Sequence, residues 1–141
     1  MLRGSFVGFN PKGTGMVNYL ITSIENKQAI SGWSDVFTNA THISALVTLI
    51  KKCVGSRVKG IYNYGISEVY SKYQFLNDIC ARIDPDISVN SIFMPSGKIE
   101  KNRNCGVSLN KIHSQLWDDK LTYEGLIDLT CNDIMKQLKE I

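Results

Sequence analysis

Apolar residues recur at intervals of three and four residues along four stretches of the chain, and this spacing predicts amphipathic helices. The clearest stretch predicts a helix over Tyr123 to Leu138. Its apolar positions are Leu126, Ile127, Leu129, Ile134 and Leu138. A shorter helix is predicted within Val107 to Leu116.

The other three stretches each begin at a residue whose hydroxyl group can cap a helix. Thr14 precedes the first helix, Thr41 the second and Ser71 the third. The first helix ends near Lys27, the second ends at Gly55, and Asp84-Pro85-Asp86 stops the third. The predicted buried faces are Met16, Val17, Leu20, Ile21 and Ile24 in the first helix, Ile43, Leu46, Val47 and Ile50 in the second, and Tyr73, Leu76, Ile79 and Cys80 in the third.

Short apolar and aromatic segments lie between the predicted helices and read as strands. They are Leu2–Phe9, Ala29–Trp33, Lys59–Ile66 and Ile87–Phe93. Ser34–Asn39 and Pro95–Asn104 read as loops. Strands that alternate with helices at this scale indicate βαβ crossovers, so we expect an α/β protein with a largely parallel sheet.

Composition agrees with one ordinary domain of 141 residues that is 43% hydrophobic and carries a net charge of +3. The basic residues are scattered, and the densest cluster is Lys98, Lys101 and Arg103. A nucleic-acid-binding protein usually shows a basic stripe or a recognisable module, so we expect no nucleic-acid partner. No apolar run is long enough for a membrane span or a signal peptide, so we expect no membrane partner.

The four cysteines lie 27, 25 and 26 residues apart and form no close pair. Zinc ligands usually come in close pairs, so this spacing argues against a metal site. Without a secretory context, we expect four reduced thiols and a cytoplasmic protein.

The candidate nucleotide-binding and catalytic motifs in this chain are incomplete. Gly8 to Thr14 lies between a predicted strand and helix, but Thr14 stands where a phosphate-binding loop has its Lys. Gly13-Thr14-Gly15 lacks the third Gly of a dinucleotide fingerprint. No Tyr is followed four residues later by Lys, and nothing in the spacing pairs His42 or His113 with a nucleophile. We predict no catalytic residue in this chain.

Five segments, taken in order, resemble a known family. Leu2-Arg3-Gly4-Ser5-Phe6-Val7-Gly8 is similar to the strand that follows the catalytic Tyr and Lys of extended short-chain dehydrogenases acting on nucleotide sugars. Gly32–Thr41 looks like the family's substrate loop, and Lys59–Gly65 like a later strand. The remaining two are Ser71–Leu76, which looks like a helix start, and Asn102–Asn104 together with Ser108–Ile112, which looks like a late motif. The chain is closest in pattern to dTDP-4-dehydrorhamnose reductase-like nucleotide-sugar reductases.

The resemblance implies the last strands of a Rossmann-like parallel sheet plus a small helical substrate-binding part. Residues 1–141 would form a single domain, the C-terminal, substrate-binding half of such an enzyme, with the N-terminal cofactor-binding half absent. Ser5 and Phe6 would approach the cofactor, and Trp33, Phe37, Thr38, Asn39 and Arg103 would bind the substrate. Arg103 would face the diphosphate, since its guanidinium matches phosphate oxygens.

The family uses NAD(P), which we expect this chain not to bind tightly alone because the Gly-rich loop and the catalytic Tyr and Lys are missing. The expected partners are a nucleotide diphosphate sugar and either a separate N-terminal half or a second copy of the chain. The implied function is the sugar-nucleotide-binding portion of an NAD(P)-dependent reductase or epimerase, not catalytic alone. A stand-alone, non-catalytic module that binds a nucleotide sugar or a protein is the alternative, and a complete enzyme of another class is a third hypothesis.

Overall fold

A computed structural model describes residues 1–97, 103–116 and 121–139. Lys98, Lys101 and Asn102, which the sequence placed in a basic cluster and a family motif, lie outside the described residues. The helices are α1 (Met16–Glu25), α2 (Ile43–Gly55), α3 (Lys72–Ile83), α4 (Asn110–Gln115) and α5 (Tyr123–Lys139). The strands are β1 (Leu2–Arg3), β2 (Phe6–Val7), β3 (Ile30–Trp33), β4 (Phe37–Thr38), β5 (Thr41–His42), β6 (Tyr62–Asn63), β7 (Tyr70–Ser71) and β8 (Val89–Ile92).

The strands pair in four short ladders, three of them parallel among the described residues. β1 pairs with β6, β2 with β5 and β3 with β8, all in parallel, whereas β4 and β7 are antiparallel. Parallel neighbours need a crossover, and helices supply it in each case. The α/β class and the mainly parallel pairing expected from the sequence are therefore confirmed, as short strand pairs.

Two apolar clusters form the core. The larger cluster joins α1, α3 and α5 through fully buried residues such as Leu20, Phe75 and Ile134. The smaller cluster joins α2 to β6 and α4 through Leu49, Tyr62 and Ile112.

Two strand predictions and one loop prediction were wrong in extent. Leu2–Phe9 is two strands of two residues, and only Val7 within them is buried. Lys59–Ile66 keeps only β6, and the predicted loop Ser34–Asn39 contains β4. In each case the strand ends where its pairing with a distant segment ends. The local sequence does not contain that information, because the partner lies elsewhere in the chain.

Two helix starts also differ from the prediction. α1 begins after Gly15, which has no side chain that could cap it, so the predicted Thr14 cap is wrong. The Thr14 hydroxyl instead accepts a hydrogen bond from the Asn10 side-chain amide at 2.7 Å. α2 is capped by His42, whose ring accepts from the Ser44 N–H, and the Thr41 cap is wrong. The Ser71 cap of α3 is confirmed, since its Oγ accepts from the Gln74 N–H at 3.0 Å.

The predicted buried face of α2 was wrong at three of its four positions, and only Leu46 of that set packs against the core. Ile43, Val47 and Ile50 are exposed, and Leu49, with Ala45, Leu46 and Cys53 beside it, packs against the core. α2 carries apolar residues on more than one side, so its sequence does not decide which side is covered. Among the described residues, no helix has the length and apolar character that a membrane span requires.

Candidate functional site

The segment Trp33–Asn39, which we call the site loop, runs from the end of β3 to the start of β5. Residues 103–105 lie against one side of it, since the Phe37 N–H donates to the Arg103 carbonyl at 2.7 Å and the Cys105 N–H to the Phe37 carbonyl at 2.9 Å. The start of α3 lies against it too, where the Lys72 N–H donates to the Val36 carbonyl at 3.0 Å. Backbone bonds from two distant segments thus fix the loop.

Arg103 forms an ion pair within this site. Its Nη1 lies 2.6 Å from Oδ2 of Asp35, a carboxylate that is largely buried in the site loop. The other oxygen, Oδ1, accepts from the Met94 N–H at 2.8 Å. The carboxylate is therefore fixed and orients the guanidinium, whose side chain is 51% exposed. An Arg side chain carries five N–H donors in a planar fork, and the contact with Asp35 is made by Nη1.

Asn39 holds the loop from inside. Its side-chain Nδ2 donates to the carbonyls of Ile66 and Val107 at 3.1 and 2.9 Å, and its Oδ1 accepts from the Val107 N–H at 2.9 Å. Asn39 and its neighbour Thr38 are buried, and the Thr38 hydroxyl accepts from the Ala40 N–H. Both amide donors of Asn39 are used within the chain, so its contribution to a ligand site is to position the backbone around it.

Trp33 lies half-buried at the other end of the site loop, beside a cation. The Lys72 ammonium is 4.8 Å from the centroid of the indole ring, within the range of a cation–π interaction. Both side chains line a cleft of about 320 Å³ whose remaining walls are mainly apolar. Its other lining residues are Met16, Tyr19, Ser31, Gly32 and Leu76. An aromatic face and an ammonium group in one cleft suit a planar, anionic ligand.

Phe37 and the predicted cofactor residues lie in different surroundings. Phe37 is 40% exposed beside Arg103. Phe6 and Gly8 line a second cleft of about 400 Å³ that lies between β2 and the start of α2, and Ser5 is exposed just before it. None of the residues lining this cleft carries a charge. The cleft therefore suits an uncharged, partly apolar group and offers no cationic side chain to an anionic one.

Asp35 and Lys72 were missed by sequence reasoning. Asp35 is the acidic residue within the site loop. Functional carboxylates are often found in loops that directly follow a strand. Lys72 follows a helix cap directly, where a cation is unfavourable to the helix dipole and therefore unusual. Among the described residues, no group of three or more His, Cys, Asp or Glu could hold a metal ion.

Several solved structures share this architecture. The dTDP-4-dehydrorhamnose reductase of Bacillus anthracis, solved with NADP, matches with a TM-score of 0.72 and 14% identity over 94% of this chain and 46% of its own. The reductase of Yersinia enterocolitica gives 0.73 and 15% over 95% of this chain and 48% of its own. A UDP-N-acetylglucosamine 4-epimerase of Methanobrevibacter ruminantium, solved with UDP-N-acetylmuramic acid, gives 0.78 and 11% over 99% and 46%.

The chain has the fold of nucleotide-sugar reductases and epimerases. The Rossmann-like fold expected from the resemblance is thus confirmed, and the neighbours include the kind of enzyme that the motifs indicated. The chain spans less than half the length of these structures. No protein-family model matches the sequence, and no curated protein is significantly similar to it.

Proposed function

We propose that residues 1–141 form the substrate-binding portion of an NAD(P)-dependent nucleotide-sugar reductase or epimerase and bind a nucleotide diphosphate sugar at the site loop. The observation that carries this proposal is the Arg103 guanidinium, held by the fixed Asp35 carboxylate and half exposed beside Phe37. The shared fold supports it, since solved neighbours include epimerases in complex with UDP-glucose and with UDP-glucuronic acid.

Arg103 would bind the diphosphate. A guanidinium forms paired, charge-assisted hydrogen bonds with phosphate oxygens, and its planar shape fixes their orientation. The Asp35 carboxylate keeps the guanidinium in place before the ligand arrives, which lowers the entropy lost on binding. Trp33 would offer its ring to the nucleotide base, with Lys72 adding positive charge at the same cleft.

The remaining predicted residues take supporting roles in this proposal. Phe37 forms an exposed wall beside the diphosphate, while buried Thr38 and Asn39 shape the loop backbone. Ser5 and Phe6 would face an uncharged ring of the cofactor from the second cleft. We place the protein in the cytoplasm, where its four cysteines would stay reduced.

Catalysis requires groups that this sequence does not contain. Hydride transfer needs a cofactor held against the sugar and a proton donor at the carbonyl. The sequence has no Tyr with Lys four residues later and no Gly-rich dinucleotide fingerprint. We therefore propose that a second portion, in a longer chain or a separate polypeptide, supplies the cofactor and the proton donor. A coding sequence for a Gly-rich βαβ unit and a Tyr-x-x-x-Lys directly upstream would favour this proposal over a stand-alone binding module.

Titration with UDP-glucose and with dTDP-glucose tests the site. Trp117→Phe leaves Trp33 as the single tryptophan, and its fluorescence reports the ligand. We expect a saturable change that Arg103→Ala weakens by about tenfold or more, because a charge-assisted bidentate contact is lost. Arg103→Lys should bind with intermediate affinity, since an ammonium keeps the charge without the fork.

Arg57→Ala is the matched control, because Arg57 is exposed and lies away from the site loop. It should bind both nucleotides as the parent protein does. Equal affinity for the Arg103→Ala protein would remove Arg103 from the site, and the absence of any response to either nucleotide would contradict the proposed function.

A further inference from the structure

The charges of this protein are separated between its two apolar clusters. The smaller cluster is built from α2, β6 and α4, and Leu2 of β1 packs against it. These four elements and the chain from Val36 to Ser67 contain no Asp or Glu. The carboxylates of the described residues lie elsewhere, in residues 25–35, 68–86 and 124–133. The net charge of +3 is therefore the sum of a body that carries cations and a body that carries the acids.

Exposed cations gather where α2 ends and the chain leads to β6. The fold adds a cation from α4 to this segment, because the Lys111 Nζ donates to the Ile61 carbonyl at 3.0 Å and lies 4.5 Å from the centroid of the Tyr62 ring. Cations that are scattered along the sequence thus lie on one surface. We call this surface, with the exposed side chains between its cations, the basic face, and its cations are Lys51, Lys52, Arg57, Lys59 and Lys111.

Aliphatic side chains lie exposed between the cations of the basic face. Val54, Val58 and Ile61 are exposed by 83%, 38% and 47%. Residues 51–61 contain no aromatic side chain and no carboxylate. Aliphatic groups are unfavourable in water, and cations without carboxylates beside them repel one another. A partner that accepts both kinds of side chain would remove both costs.

An anionic bilayer surface accepts both kinds of side chain. Its headgroups attract Lys and Arg, and the boundary with its acyl chains takes apolar groups. A nucleic acid also offers phosphates, but proteins that bind one usually show a recognisable module or stack bases on aromatic side chains, which residues 51–61 lack. Aliphatic side chains would stay in water beside a nucleic-acid backbone. The composition of the basic face therefore favours a lipid surface.

We propose that the basic face docks the protein reversibly on a membrane that contains anionic lipids, with its aliphatic side chains at the acyl boundary and its cations among the headgroups. Docking of this kind takes place on one leaflet and requires no spanning helix. It revises the expectation that the protein has no membrane partner, since that expectation concerned only spanning segments and signal peptides. The proposal goes beyond nucleotide-sugar binding, because the basic face shares no residue with the site loop.

Co-sedimentation with vesicles tests the docking. The 141-residue chain is mixed with vesicles of equimolar phosphatidylglycerol and phosphatidylcholine, or with vesicles of phosphatidylcholine alone. We expect it to sediment with the first kind and not with the second, and added salt should weaken the binding by screening. Lys51→Gln/Arg57→Gln/Lys59→Gln should weaken it by about a hundredfold, since each cation near an anionic surface contributes about fivefold.

Lys12→Gln/Lys136→Gln/Lys139→Gln is the matched control for charge, because it removes as many exposed cations outside the basic face. It should bind the anionic vesicles nearly as the parent protein does. An equal loss in both triple variants would show that net charge alone attracts the vesicles and would overturn the proposal. Sedimentation with phosphatidylcholine alone, or with neither kind of vesicle, would also overturn it.

A second pair of variants tests the aliphatic contacts at constant charge. Val54→Gln/Ile61→Gln should weaken binding to the anionic vesicles by about tenfold, because two aliphatic side chains no longer leave water. Ile92→Gln/Met135→Gln replaces exposed apolar residues elsewhere and should have no effect. Equal effects of the two double variants would contradict a contact between the basic face and the acyl boundary.

A short DNA duplex provides the competing anionic partner. Tighter binding to the duplex than to the vesicles, unchanged by Val54→Gln/Ile61→Gln, would assign the basic face to a nucleic acid and overturn the proposal. The substituted positions face water, so each variant should melt at the parent temperature. Each should also keep the Trp33 response to UDP-glucose. A failure of docking can therefore be distinguished from a failure of nucleotide-sugar binding.

Discussion

Asn39 shows how one buried side chain joins three segments of the chain around the site loop. Its side-chain amide donates to the backbone carbonyls of Ile66 and Val107 and accepts from the Val107 N–H. The backbone carbonyl of Asn39 accepts from the Ile66 N–H. Buried backbone groups without partners cost more than an ordinary hydrogen bond contributes. Asn39 therefore stabilises the loop chiefly by preventing unsatisfied groups.

Replacing Asn39 with Ala should destabilise the protein by about 3 kcal/mol, because two carbonyls and one N–H lose their side-chain partner in a buried position. Urea unfolding measures the loss. Asn63→Ala is the control, since Asn63 makes a single, exposed hydrogen bond from the same region to Ser108. It should cost less than about 1 kcal/mol. Equal effects of the two substitutions would contradict the role assigned to Asn39.

At the scale of elements, β3 and α3 approach each other closely at Gly32. A β-carbon built on Gly32 would lie 2.6 Å from the Tyr73 Cα and 3.0 Å from its N, both of them backbone atoms that cannot rotate away. Gly32 also lines the cleft that holds Trp33 and Lys72. A glycine is required here by the space between a strand and a helix.

We expect Gly32→Ala to cost about 1–3 kcal/mol, as overpacking usually does, because β3 and α3 must separate. Gly55→Ala is a matched control at the end of α2, where a β-carbon would meet nothing within 4 Å. It should be neutral or stabilise by about 0.5 kcal/mol, since alanine is the better helix former. Thermal melts of the two variants check both signs, and a neutral Gly32→Ala would show that the contact yields without cost.

Some elements follow from local sequence and others do not. α3 was predicted well because a capping Ser71, a periodic apolar face and Asp84-Pro85 all act within a few residues of the helix. The strands were overextended because a ladder is set by its partner, as when Leu2 pairs with Tyr62 far along the chain. The covered face of α2 likewise depends on distant residues.

The site was predictable in outline only. The motif resemblance singled out Trp33, Phe37 and Arg103, and the structure brings Phe37 and Arg103 into backbone contact. It could not provide the Arg103–Asp35 ion pair or the Lys72–Trp33 contact, because each joins residues from separate elements. Spacing along the chain carries information within an element, whereas these pairs arise from tertiary packing.

At the scale of the whole molecule, ionisable groups within the larger core link stability to pH. Burial raises the pKa of the Cys80 thiol to about 11, and nearby Cys131 adds to the shift. Burial also raises the pKa of Tyr70 and of Tyr123, whose hydroxyl additionally donates to Asp78 at 2.8 Å. Cys80 lies on α3, Tyr70 on β7 and Tyr123 on α5. Their ionisation would therefore disturb the packing of all three elements against one another.

The protein should therefore lose stability at high pH. In the unfolded chain the Cys80 thiol loses its proton near pH 9, whereas in the folded protein its pKa is about 11. Between these pH values the unfolded state binds fewer protons than the folded state. The free energy of unfolding therefore falls as the pH rises from about 9 to 11. Urea unfolding at a series of alkaline pH values should show a decline in stability that begins near pH 9. Cys80→Ala lowers stability overall through a cavity, yet it should make the decline less steep. Cys105→Ala, at an exposed position, should keep the parent slope. A decline of equal steepness in the Cys80→Ala protein would show that Cys80 contributes nothing to it and that the tyrosines carry it alone.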